Sequence, residues 1–264
     1  MTMPAQAALI EAIHRTLDAD ERIEAAWLSG SFGKGEADDF SDVDVLVLVR
    51  APWQDAAQAY AADLSAIAET VLVNPLFGGR VLNVVTADWD RFDLSFLEAG
   101  DLVRYDRAAL KPLFNKTAAE PPLQTRAPYQ PPPEKIAAMI REFLRVLGLA
   151  HVCLGREEYV RGVAGVELLR GAAIELMIED NRIAPEDRGG ALHLKRLLTA
   201  EQHEQLLRFP AMKADRASLI EADLAAADLF LPLARRLAAE TGAVWPQDLE
   251  DATRRKLEPL GIRI

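Results

Sequence analysis

One cysteine, Cys153, is present in the 264-residue chain, so no intramolecular disulfide can form. Four histidines, His14, His151, His193 and His203, are scattered without the spacing of zinc ligands. Disulfide scaffolds and His/Cys zinc sites are therefore excluded. Long apolar runs are missing too: no stretch free of Asp, Glu, Lys and Arg exceeds ten residues, whereas a membrane span needs roughly 20 apolar ones. The N-terminus lacks the basic-then-apolar order of a signal peptide, so the expected setting is the cytoplasm with no membrane partner. Positive charge is scarce in the first part of the chain. Residues 1–110 carry 19 Asp or Glu against 8 Lys or Arg, net −11, while residues 111–264 carry 22 of each, net zero. Such a field repels a nucleic-acid backbone and draws cationic ligands or divalent metals, the plain alternative being an acidic surface that serves solubility alone.

What is present suffices for one full core or two modest ones, since half the residues are hydrophobic. Six prolines between Thr117 and Pro133 remove backbone donors and exclude both helix interior and central strand. They divide the chain into a first domain over 1–120, an extended linker over 121–133 and a second domain over 134–264. In the first, Ala5 to Leu17 has helical apolar spacing, and Ile23 to Leu28 and the β-branched run Val43 to Val49 read as strands. Ala56 to Ala68 reads as a second helix. Arg80 to Thr86 and Phe92 to Leu97 read as two more strands in one sheet. After the linker the period is helical over 136–154, 160–178, 192–198, 218–239 and 249–257, interrupted at Pro185, Gly189-Gly190, Pro210 and Gly242. The fold class is α+β, with a sheet domain followed by a helical bundle.

The strongest local signal is Ser29-Gly30-Ser31-Phe32-Gly33-Lys34-Gly35, followed by Ser41-Asp42-Val43-Asp44-Val45. Gly30 and Ser31 close a strand and can open a helix, where unpaired N–H groups and the serine hydroxyl suit a phosphate. Asp42 and Asp44 lie two apart at the start of a strand, so both carboxylates project from one face. Side by side they repel unless a cation such as Mg²⁺ lies between them. The alternative reading is a turn cap at Asp42 and a solvated Asp44. Asp93 is a single acid on a later strand, explained by polar alternation alone unless its strand pairs with that of Asp44. If it does, three carboxylates meet. They could then hold two divalent ions and leave one group to accept a hydroxyl proton, the parts needed for nucleotidyl transfer.

Gly30-Ser31, a ten-residue spacer, Asp42-x-Asp44 and a later strand acid resemble the nucleotidyltransferase superfamily that includes DNA polymerase β and kanamycin nucleotidyltransferase. Asp20-Glu21-Arg22-Ile23, Gly30-Ser31-Phe32-x-Lys34-Gly35-Glu36, Phe40-Ser41-Asp42, Gly155-Arg156-Glu157-Glu158-Tyr159 and Glu167-Leu168-Leu169 are similar to the lincosamide nucleotidyltransferases. The resemblance implies a mixed, largely antiparallel sheet with helices on one side, then a helical domain. It implies that Gly30 and Ser31 hold ATP phosphates, that Asp42 and Asp44 bind Mg²⁺, and that Asp93 is the catalytic base. It further implies AMP transfer to a hydroxyl of a small, amine-bearing antibiotic with release of pyrophosphate, and it admits a homodimer. The lincosamide enzymes carry glutamate where Asp44 and Asp93 stand, so drug specificity does not carry over. A binding module without turnover, or a protein or RNA acceptor, are the rival readings.

The helical half is expected to supply the acceptor pocket. Glu158, Tyr159 and Glu167 are its candidate contacts, with solvated helix-turn charges as the plain alternative. Arg170 is a candidate phosphate contact that Glu167, three residues earlier, could hold in place. Lys34 either faces the triphosphate or is a solvated loop lysine. Trp27 and Trp89 read as core and strand-edge packing, and Cys153 as a small apolar filler.

Overall fold

The computed structural model describes residues 4–50, 52–124, 127–189 and 193–264. Positions 125–126 of the expected linker, and Gly190 and Leu192 of the expected break and helix, lie outside the described residues. The chain forms two compact units, Met1–Arg126 and Ala127–Ile264.

In the first unit, Leu9, Ile13 and Leu17 recur at helical spacing along α1 (Pro4–Ala19) and are buried. β1 (Ile23–Leu28) leads through α2 (Gly30–Lys34) to β2 (Val43–Val49) and α3 (Trp53–Ala62). β3 (Thr70–Leu76), β4 (Val81–Thr86), β5 (Arg91–Leu97) and β6 (Lys111–Asn115) follow. These strands build one sheet in the order β3-β4-β5-β2-β1-β6. Only β2 and β5 run parallel, so the sheet is mixed and largely antiparallel, as the α+β reading holds. Alternation along β2 and β5 sends Val43, Val45, Val47, Phe92, Leu94 and Phe96 to one face, where α1 and α3 cover them. On the opposite face Trp27, Leu46, Leu48 and Leu97 pack beneath Leu102, with Tyr105 and Leu110 alongside.

In this unit three features differ from the sequence reading. The helix expected over 56–68 begins at Trp53 and stops at Ala62, because Asp63 is extended and its carboxylate accepts from the Ser65 N–H at 2.8 Å. That local turn competes with the next helical turn. β3 and β6 were not foreseen. They are the sheet's two edges and contain Pro75 and Pro112, residues an edge tolerates and a central strand does not. Trp89 does not pack on a strand edge. It sits in the β4–β5 turn at φ 66°, 76% exposed.

The second unit is helical: α4 (Pro133–Gly148), α5 (Ala150–Gly155), α6 (Tyr159–Asp180), α7 (Leu194–Leu197), α8 (Ala200–Leu207), α9 (Arg216–Thr241) and α10 (Gln247–Leu257). The helix expected over 136–154 is two, divided at Gly148 and Leu149. α8 was not foreseen; Thr199 and Gln202 cap it reciprocally. The stripe Leu219, Ala222, Ala226, Phe230, Ala234 and Leu237 buries α9 in the core, where Phe143 and Phe230 stack at 3.9 Å between centroids. Two buried carboxylates are fully paired. Glu179 accepts from Lys135, Arg188 and the Tyr129 hydroxyl. Glu250 accepts from Arg235, Arg254 and the Trp245 indole. Burial alone would raise both acids, but these donors together hold them below the usual carboxylate range. No helix among the described residues is long and apolar enough to cross a membrane.

Candidate active site

The turn between β1 and β2 is built around one glycine. Gly30 has φ 55°, and a Cβ there would collide with the Asp44 carboxylate, so both the backbone conformation and the space require glycine. The Ser29 N–H donates to the Asp44 carbonyl at 2.8 Å, tying the end of β1 to the start of β2. Gly33 lets the turn approach the backbone of Leu28 and Ala109 more closely than a side chain would permit. α2 is five residues long and closes at Gly35. A helix this short can offer an anion only the N–H groups of its first turn and not a developed helix dipole.

Parallel pairing of β2 with β5 places Asp44 opposite Asp93 in register. This long-range pairing brings together the acids that the sequence leaves 49 positions apart. Both side chains project away from the face covered by α1 and α3, since their neighbours Val43, Val45, Phe92 and Leu94 project toward it. Asp42 lies just before β2, half-exposed, with its carboxylate 3.8 Å from the Arg91 guanidinium. Burial, then the charges of Asp42 and Asp93, push the Asp44 carboxyl up to about 7, with Arg91 offsetting part of this. Asp93 is also raised, first by burial, although a 2.7 Å hydrogen bond from the Asn83 amide opposes the shift.

Several supporting residues escaped the sequence reading. Asn83 pairs with Asp93 across β4 and β5; the signal was a polar residue among valines in the phase that faces away from the core. Arg91, two before Asp93 on the same face, also donates to the Phe40 carbonyl at 3.1 Å. Buried Gln6 donates to the carbonyls of Asp38 and Ser41 at 3.0 and 2.8 Å. The Ser41 hydroxyl bonds the Asp38 carboxylate at 2.9 Å. Together these hold the loop that delivers Asp42. Nothing short of the tertiary contact distinguishes Gln6 from any other polar residue of α1.

Residues 11–75 match the family model for polymerase beta nucleotidyltransferases. That match covers part of the N-terminal unit. The matched segment runs from α1 into β3 and includes Gly30, Ser31, Lys34, Asp42 and Asp44; Asp93 lies beyond it. A solved aminoglycoside 6-adenyltransferase from Bacillus subtilis is similar to the chain at 13% identity and a TM-score of 0.48, covering 97% of each chain. No curated protein matches the chain.

The remaining candidates lie on the helical unit. Arg170 donates to Glu167 at 2.8 Å and lies 5.8 Å from the centre of the Phe209 ring. Glu158 occupies the N-cap position of α6, exposed and without a side-chain bond to the helix, and Tyr159 packs against the helical core. Among the described residues, no group of three or more His, Cys, Asp or Glu is gathered so as to hold a metal by itself. The N-terminal unit nevertheless offers oxygen donors alone at Asp42, Asp44 and Asp93, two of them destabilised as anions by burial and by repulsion from neighbouring carboxylates. That donor chemistry suits a hard divalent cation.

Proposed function

We propose that the protein transfers a nucleoside monophosphate, AMP from ATP, to a hydroxyl of a small amine-bearing molecule of the aminoglycoside or lincosamide kind. The observation that carries this reading is the register of Asp44 with Asp93 beside the Gly30 turn. Asp42 and Asp44 would hold Mg²⁺, with Asp93 completing the donor set for a second ion; when bound, the metal supplies charge neutralisation of the triphosphate. Backbone N–H groups at Gly30 and Ser31 and the Ser31 hydroxyl would donate hydrogen bonds to the terminal phosphates, with Lys34 alongside. Asp93, held by Asn83, takes the proton of the acceptor hydroxyl. The acceptor oxygen then bonds to the α-phosphorus while the bond to the bridging oxygen of the β-phosphate breaks and pyrophosphate leaves. The acidic charge of residues 1–110 favours approach of a cationic acceptor. Arg170, Glu158, Tyr159 and Glu167 are proposed contacts from the helical unit.

Pyrophosphate release from ATP and Mg²⁺ with a panel of aminoglycosides and lincosamides tests the proposal. Turnover with at least one acceptor is expected, and Asp93→Asn should lower kcat about 10²–10⁴-fold with little change in ATP affinity. Tight ATP binding without turnover on any acceptor would instead favour a binding module.

A further inference from the structure

A cavity of about 260 Å³ opens within the helical unit among α4, α5, α6 and α9. Its wall is largely apolar, formed by Val146, Leu149, Leu154, Leu168, Leu169 and Leu219. Two glycines of α6 shape it in opposite ways. At Gly162 an added Cβ would meet Leu219 Cδ1 at 2.5 Å, so this glycine lets α6 close onto α9. At Gly165 it would meet nothing within 4 Å, so the missing side chain is part of the cavity.

Asp223 of α9 lines this cavity and is only 4% exposed. Among the described residues no group is hydrogen-bonded or ion-paired to its carboxylate, whose oxygens keep access to the open cavity and are not sealed in the core, and burial pushes its carboxyl up to about 7. The contrast within the same unit is sharp: Glu179 and Glu250, buried to a similar degree, have three donors each. A buried carboxylate without a partner is costly, and a cationic ligand is the partner that removes the cost.

The other charged or titratable groups around the cavity are Arg145 of α4, Cys153 of α5 and Arg161 of α6. Arg145 is bound in two hydrogen bonds to Glu142 at 2.7 and 2.8 Å, and Arg161 is exposed. Neither meets Asp223, and an anionic ligand would face the buried carboxylate directly. The volume lies just below the roughly 300–1,000 Å³ of sites for drug-sized ligands, so the occupant is a one-ring molecule.

We propose that this cavity binds a small apolar amine as its ammonium ion, with Asp223 as the counter-ion and the leucine wall around its ring. The site requires only the helical unit and stands independently of nucleotidyl transfer. Titration calorimetry of the full chain at pH 8 with 2-phenylethylammonium and its neutral analogue 2-phenylethanol tests it. The ammonium should bind at least tenfold more tightly than the alcohol. Asp223→Asn should erase that preference, and Gly165→Leu, whose side chain has open space to occupy, should block both compounds while Asp223 stays in place. Circular dichroism confirms that both variants fold. Absence of ammonium binding, equal affinity for the two compounds, or an unchanged preference in Asp223→Asn would each overturn the proposal.

Discussion

Asp223→Asn isolates the energetic consequence of one buried, unpaired carboxylate. In the unfolded chain this group titrates near the ordinary value of about 3.9, whereas in the fold burial pushes it up to about 7. Between those values the native state keeps a proton that the unfolded state has released, so stability falls as pH rises through the window. The slope is about 1.4 kcal/mol per pH unit, and above the folded value the whole penalty, on the order of 4 kcal/mol, is present. Asparagine has no such titration. Any fixed packing cost of the amide is the same at every pH, so the informative quantity is how the difference between variant and wild type changes with pH. From pH 5 to pH 8 the variant should gain about 3 kcal/mol on the wild type, or roughly 8 °C in melting temperature for a unit of this size. Thermal unfolding followed by far-UV circular dichroism at both pH values, without amines, measures it. A melting difference that is the same at pH 5 and pH 8 would refute the claim that Asp223 is buried without a partner.

Asp44→Asn should abolish nucleotidyl transfer yet raise the thermal stability of the metal-free protein. The gain, about 1–3 kcal/mol at pH 8 and vanishing near pH 4, follows because removal of the charge relieves burial and the repulsion from Asp42 and Asp93. Wild-type turnover in this variant would remove the metal assignment. Gly30→Ala must adopt φ 55° and displace the Asp44 carboxylate, so a loss of about 1–2 kcal/mol together with loss of ATP binding is expected by urea unfolding and calorimetry. Glu179→Ala leaves Lys135 and Arg188 without their shared anion and should cost about 3–5 kcal/mol in chemical denaturation; a loss under 1 kcal/mol would show that the cluster relaxes into solvent.

Local periodicity made much of the fold legible. The alternation Phe92-Asp93-Leu94-Ser95-Phe96 assigns a strand and separates a core face from an acid face before any partner is known. Gly30 next to Ser31, with Asp42-x-Asp44 downstream, marked the turn and its carboxylates because a close turn demands glycine chemically. The edge strands were harder to read: Pro75 and Pro112 argue against a strand until the strand order places them on the sheet's two edges. Asp223 carried a signal as well, standing between Ala222 and Ala226 in the buried phase of α9, where a charged residue calls for a partner.

Residue order by itself therefore determined the helices and central strands, which face each strand turns inward, and which acids could act, since these depend on neighbours one to four positions away. Tertiary structure alone decided that β2 lies parallel to β5 with Asp44 level with Asp93, that Asn83 steadies one acid, and that Asp223 meets a cavity instead of a cation. Each of these rests on contacts between segments distant in sequence, whose pairing is chosen by burial of the whole unit and not by any local pattern.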